Sequence, residues 1–163
     1  MEGATSSTRI AIISAPSVFV QLHNMLSGAG DKADRPSITL LEHDSRFNVF
    51  PDFVYYDFEQ PTKLDPAMKG IYDRLLVDPP FLSDDCQTKV AMTVRWLAKP
   101  AQKQATIADG ARLVVCTGER MEPVIHRLYP GIRTTTFEPA HAHGLGNEFR
   151  TYANYESKSW AIR

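Results

Sequence analysis

Five short apolar runs constrain this chain more than any other feature. They are "RIAIIS" (9–14), "SITLLEHD" (37–44), "DFVYYDFE" (52–59), "IYDRLLVD" (71–78) and "ARLVVCTG" (111–118). The first is apolar at odd and even positions alike. Successive side chains of a strand point to opposite sides, so such a run suits a strand buried on both faces of a sheet. Helical patterns separate some of the runs. Pro16 suits the first turn of a helix on which Val18, Leu22, Met25 and Leu26 fall near helical spacing, and Gly28 and Gly30 end it. Ser83 can cap a second helix, where Asp84 and Asp85 favour the positive end and Cys86, Val90, Val94 and Leu97 share one face. Thr117 can cap a third, with Met121, Ile125 and Leu128 as its apolar stripe.

Two β-rich segments, "GIRTTTFEP" (131–139) and "NEFRTYANY" (147–155), close the chain. The loop between them is too short for a crossover helix, so they pair antiparallel. Strands interleaved with helices predict an α/β fold with a mostly parallel, doubly wound sheet. The 163 residues suit one domain, with no internal repeat, and "MEGATSST" (1–8) reads as a flexible leader. The abrupt passage from that leader into a buried strand suggests a missing N-terminal part. The polar stretch "KPAQKQATIADG" (99–110) reads as a mobile connection.

Net charge is −1, so no global basic field draws in nucleic acid, although a local patch is compatible with this balance. Cys86 and Cys116 lack metal-ligand spacing and read as reduced core thiols of an intracellular protein. No apolar run approaches the roughly 18 residues of a membrane span, and no secretory signal is visible.

An antiparallel strand at the end of a parallel sheet resembles the layout of class I methyltransferases, Rossmann-like folds with a seven-stranded sheet. The resemblance implies S-adenosylmethionine as cofactor. In open α/β sheets ligands lie beyond the carboxyl ends of the strands, here at Ser14, Glu42, Asp57 and Asp78. An acid after the second strand can accept both ribose hydroxyls, and Glu42 holds that place, with Asp44 two residues on as the alternative. Asp57, after the third strand, can accept from the adenine amine. Taken singly, each of these acids also reads as a solvated loop residue. No metal-binding set is visible.

The fourth strand runs into Asp78-Pro79-Pro80-Phe81, which resembles the [D/N]-P-P-[Y/F] motif of amino-group methyltransferases. The alternative is a Pro-Pro turn with an incidental Asp. The chemistry accounts for the residue types. An Asp side chain and a backbone carbonyl can accept from the amine hydrogens and aim the nitrogen lone pair. Proline fixes φ and brings no N–H to compete for acceptors. An aromatic ring favours a cationic transition state. Most of the rate gain would come from positioning. No general base stands out, so activity on a lysine is expected to rise with pH towards the lysine pKa.

A closer resemblance covers nearly the whole chain. "SAPSVF" (14–19), "LLEHDSRF" (40–47), "DFVYYDF" (52–58), "VDPPFLSDDC" (77–86), "VVCTGERME" (114–122) and "NEFRTYANY" (147–155) resemble, in order, the eukaryotic protein-lysine methyltransferases of elongation factor 1-alpha. Those enzymes were formerly grouped with adenine-specific DNA methyltransferases. The resemblance implies methylation of a lysine on that factor, in the cytoplasm. The chain itself reads as a single domain acting as a monomer. The resemblance also implies Asp78, Pro79, Pro80 and Phe81 as the catalytic motif, and Ser14, Ala15, Pro16, Glu42 and Asp57 as cofactor contacts. Three departures stand out. "SAPS" replaces the glycine-rich loop usual after the first strand of methyltransferases. Phe81 stands where many relatives have tyrosine, so no role can rest on that hydroxyl. The segment that family members carry before the first strand, covering cofactor and substrate, has no match in 1–8.

His141 and His143 read as part of a flexible loop near the site and not as metal ligands. Glu148 reads equally as a site acid or a hairpin acid. Trp160 reads as a packing anchor, and Arg95 and Lys99 as a solvated helix face. Two competing functions remain: an adenine methyltransferase acting on DNA or RNA, whose flipped base presents a similar amine, and an interaction domain that keeps the fold without turnover.

Overall fold

A computed structural model describes residues 2–100, 110–139 and 148–163. Seven strands form one sheet: β1 (Arg9–Ile13), β2 (Ser37–Glu42), β3 (Phe53–Tyr55), β4 (Arg74–Val77), β5 (Arg112–Gly118), β6 (Arg133–Thr134) and β7 (Phe149–Ala153). Their order across the sheet is β3-β2-β1-β4-β5-β7-β6. The β3-to-β5 portion is parallel throughout, and β7 lies between β5 and β6, antiparallel to both. The expected mostly parallel sheet with an antiparallel C-terminal strand is present.

Three α-helices accompany it: α1 (Pro16–Ser27), α2 (Asp84–Leu97) and α3 (Glu122–Leu128). They follow β1, β4 and β5. The connections β2 to β3 and β3 to β4 carry only single 3-10 turns. Side chains of β1 alternate between the two faces. Ile10 and Ile12 pack with Ile38, Leu40 and Phe19 of α1. Ala11 and Ile13 face the larger core, with Val90, Val94 and Leu97 of α2 and Ile125 and Leu128 of α3. That double burial is why the β1 run is apolar without interruption.

Four local expectations differ from the structure. Phe19, not Met25, anchors α1; Phe19 is fully buried, whereas Met25 is among the exposed large apolar residues. Thr117 does not cap α3. The ladder to β7 pairs Thr117 with Arg150 and Gly118 with Phe149, so β5 continues through Gly118, and α3 starts after a 3-10 turn at Glu119–Met121. Arg95 is not simply solvated, because its guanidinium donates to the Leu128 carbonyl at the end of α3. Lys99 is exposed but ion-paired, with its Nζ 3.0 Å from Asp73.

Ser83 does cap α2, accepting from the Cys86 N–H at 3.3 Å. Ahead of β1, Thr8 is buried and Glu2 meets both Arg112 and the Lys158 N–H. Trp160 packs edge-on to Tyr155 and donates from its indole to the Tyr155 carbonyl. No described helix is long and apolar enough to cross a membrane. Positions 101–109 of the polar connection, and His141 and His143, lie outside the described residues.

Candidate active site

The strand order reverses between β1 and β4, and the crevice beyond their carboxyl ends is where open α/β sheets hold ligands. Ser14 leaves β1 there. Its N–H donates to the Leu41 carbonyl at 2.9 Å, and its φ is 55°, the only positive value at a non-glycine among the described residues. That left-handed turn throws the chain directly into α1, with Ala15 buried behind it and Pro16 opening the helix. A methyltransferase loop with glycine there would reach this turn without strain; serine reaches it at a cost of roughly 1–2 kcal/mol.

Asp78 stands beside Ser14, because its N–H continues the β4–β1 ladder to the Ile13 carbonyl at 3.0 Å. Pro79 is buried and Pro80 exposed, so the bracket turns outward over one residue. Phe81 then projects into the open, 58% exposed, and meets Phe58 edge-on with ring centroids 5.7 Å apart. Phe58 directly follows Asp57, so this contact joins the β3 loop to the bracket. Lys89 of α2 ties down the same loop from outside, pairing with Glu59 at 2.6 Å and Asp85 at 2.7 Å.

The acids at or just after the ends of β2 and β3 separate into different states. Glu42 ends β2, and one of its carboxylate oxygens accepts from the Asp44 N–H at 3.0 Å. Asp44 is turned away to Arg46, which engages both its oxygens, and those bonds hold its carboxyl below the usual range. Of the two candidates for ribose hydroxyls, Glu42 is the one with an oxygen that no described residue engages. Asp57 accepts from the Glu59 N–H at 2.9 Å, again through one oxygen.

Glu148 is drawn into a different cluster. Its carbonyl accepts from the Glu119 N–H at 2.8 Å, and Arg150 lies between Glu119, Glu138 and Glu148. The Glu119 carboxylate beside it pushes the Glu148 carboxyl up. This favours the hairpin reading of Glu148.

On the α1 side of the sheet, a largely apolar groove of about 450 Å³ runs from Arg74 and Arg112 to Asp78 and Cys116, with Trp160 along its wall. Burial, with the Asp78 charge second, pushes the Cys116 thiol up to about 12, so it stays protonated. Among the described residues no group of three or more His, Cys, Asp or Glu side chains could hold a metal.

Sequence reasoning missed the parts that hold the bracket from behind. Gln87 of α2 is 1% exposed and donates to the Phe81 carbonyl and to Thr117 Oγ1, both at 3.1 Å. Arg120 donates to the Leu82 carbonyl at 3.0 Å. Leu82 packs on Gly118, where a Cβ would fall 3.0 Å from both of its methyl groups. One signal was available: Gln87 is a long polar side chain flanking the buried stripe of α2, and such a residue is rarely fully buried without a partner.

A family model described as "Probable N6-adenine methyltransferase" matches residues 1–157. The chain belongs to that family. Among curated proteins, "Protein-lysine N-methyltransferase EFM5" of Saccharomyces cerevisiae is 43% identical over 98% of this chain. The match spans 65% of the yeast protein, so the chain covers just under two thirds of that relative. "EEF1A lysine methyltransferase 1" of Danio rerio is 37% identical, over 97% of this chain and 87% of the fish protein. Among solved structures, antibiotic-resistance methyltransferase Kmr superposes with a TM-score of 0.54 at 11% identity, over 90% of this chain and 85% of that one. At that identity the superposition bears on the fold alone. The N6-adenine methyltransferase family and its lysine-modifying relatives are the family expected from the residues. Both names describe transfer to an amino group, and they differ in the acceptor.

Proposed function

We propose that this chain is an S-adenosylmethionine-dependent protein-lysine N-methyltransferase acting on translation elongation factor 1-alpha. The observation that carries the proposal is the Asp78–Phe81 bracket at the β1/β4 crevice, next to the Ser14 turn and walled by Phe58. The names of the yeast and zebrafish relatives supply a protein lysine as the acceptor, and the zebrafish name supplies the factor. The cytoplasm as location and a monomeric state are part of the same proposal.

The crevice fits the cofactor. Glu42 has a carboxylate oxygen for the ribose hydroxyls, and Asp57 one for the adenine amine, with no described residue engaging either. The turn through Ser14, Ala15 and Pro16 brings backbone close to the same space at the head of α1. When bound, the cofactor supplies an electrophilic methyl group on a sulfonium.

The residues of the chain do the rest. Asp78 and a bracket carbonyl accept the hydrogens of the incoming amine, which leaves the nitrogen lone pair directed into the crevice. Neither Pro79 nor Pro80 has an N–H to compete for those acceptors. The exposed Phe81 ring, fixed against Phe58, gives the aliphatic stem of a lysine an apolar wall and favours the cation that forms. Holding amine and methyl in register supplies most of the acceleration.

The adenine reading has the family description in its favour, and a base could stack on the same exposed Phe81. Against it stands the near-neutral charge of the chain. The test incubates the protein with S-adenosylmethionine and, separately, recombinant elongation factor 1-alpha, total RNA and duplex DNA. Peptide and nucleoside mass spectrometry read the products. Methylated lysine on the factor, with no methylated adenine, is expected. Methylated adenine with unmodified protein would replace the proposal by the adenine reading.

A further inference from the structure

We infer that Gln87 is a positioning residue of the methyl-transfer site. Its carboxamide holds the Phe81 carbonyl, and through it the Asp78–Phe81 bracket, in the geometry that receives the amine. The inference rests on the methyltransferase reading of the bracket.

The bracket is unusual in how little it can hold itself. Two of its four residues are prolines and bring no N–H, so no backbone donor lies between Asp78 and Phe81. It is fixed from its ends instead. At the front, the Asp78 N–H bonds to the Ile13 carbonyl of β1 at 3.0 Å. At the rear, the Phe81 carbonyl accepts from Gln87 at 3.1 Å, one residue before the Leu82 carbonyl accepts from Arg120. Arg120 is exposed and reaches in from solvent, whereas Gln87 acts from a buried position.

The Gln87 amide cannot be turned round. A carbonyl oxygen never donates, so the group facing Phe81 must be the NH2. The second amide hydrogen goes to Thr117 Oγ1 at 3.1 Å, and Thr117 is fully buried in β5. One side chain therefore ties α2, the rear of the bracket and the interior strand β5 into a fixed triangle. The remaining oxygen, Gln87 Oε1, is buried with no hydrogen-bond partner among the described residues. A methionine would fill this volume without burying the unpartnered Oε1, so packing alone does not explain an amide here. The directed hydrogen bond to the bracket does.

The test compares wild type with Gln87→Met, which keeps length and volume but has no donor, and Gln87→Leu, a smaller apolar side chain that also has no donor. Both are measured for Tm, affinity for S-adenosylmethionine by calorimetry, and kcat and KM for protein methylation. The expected result is a kcat lower by about 10- to 100-fold, the range that small misplacements of reacting groups produce. Cofactor affinity and KM should stay within about threefold of wild type on that account. If Met at this position unfolds the chain, Gln87→Leu carries the same expectation. Folded variants with wild-type kcat, or with losses confined to Tm, would overturn the inference. A wild-type protein that methylates nothing, while binding cofactor or not, would overturn the underlying reading instead.

Discussion

Ser14 sets the local geometry of the cofactor side. Its φ of 55° lies in the left-handed region, where glycine is comfortable and other residues carry strain. The turn is needed because β1 must stop at Ile13 and hand over to a helix at Pro16 within two residues. Ser14→Gly should therefore relieve strain, while glycine loses about 0.5–1 kcal/mol through its freer unfolded chain. Denaturant melts should place that variant within about 1 kcal/mol of wild type. Ser14→Val should be less stable by more than that, since branching at Cβ sharpens the clash. Strand-end acids were legible in the sequence because an apolar run that ends in a carboxylate marks its own exit from the core. Their separate states were not. That Asp44 turns to Arg46 while Glu42 keeps an oxygen disengaged depends on side-chain directions in one tight turn. Gln87 was hidden for a stronger reason. Its partners are six and thirty residues away, and the second, Thr117, is reached only because α2 packs on β5.

Among the elements, α2 shows most plainly what periodicity can and cannot reveal. Its cap at Ser83 and its stripe of Cys86, Val90, Val94 and Leu97 are as the sequence indicates, because both follow from positions within a few turns. Ser83→Ala should cost about 1 kcal/mol, the usual loss of an N-cap, seen as a lower denaturant midpoint. An unchanged midpoint would mean that the Ser83 bond to Cys86 carries no net stability. The β5–α3 junction could not be read the same way. Thr117 looks like a helix cap in isolation, but β7 arrives from residues 149–153 and pairs with it, so the strand extends and the helix starts later. Long-range pairing outweighed a local preference. The placement of β7 between β5 and β6 has the same origin, since nothing within either strand specifies its neighbour across the sheet.

For the whole molecule, buried acid groups predict how stability varies with pH. Burial pushes the phenol of Tyr56 and the thiol of Cys116 each up to about 12, and raises Tyr129 and Tyr152 in the same direction. Unfolded cysteine and tyrosine ionise near 8.5 and 10. Below about pH 8 both states are protonated and these groups contribute nothing. Between about pH 8.5 and 12 the unfolded chain loses protons that the folded chain keeps, so stability falls as pH rises. Tm should drop progressively from pH 8.5 upward at constant ionic strength. A flat Tm to pH 11 would show that these groups are not held protonated. At this scale the sheet was legible because double burial writes continuous apolar runs, and the bracket because it follows such a run directly.

The central claim is that Asp78 and its bracket receive the amine. Its most direct test is Asp78→Ala, assayed for methylation of elongation factor 1-alpha beside a calorimetric titration with S-adenosylmethionine. Loss of turnover by at least about 100-fold, the scale expected when a group that orients the reacting atoms is removed, is the predicted result. Cofactor affinity should change little, because Glu42 ends β2 and Asp57 follows β3, away from β4. Turnover within about threefold of wild type would contradict the account and move the acceptor site away from the bracket.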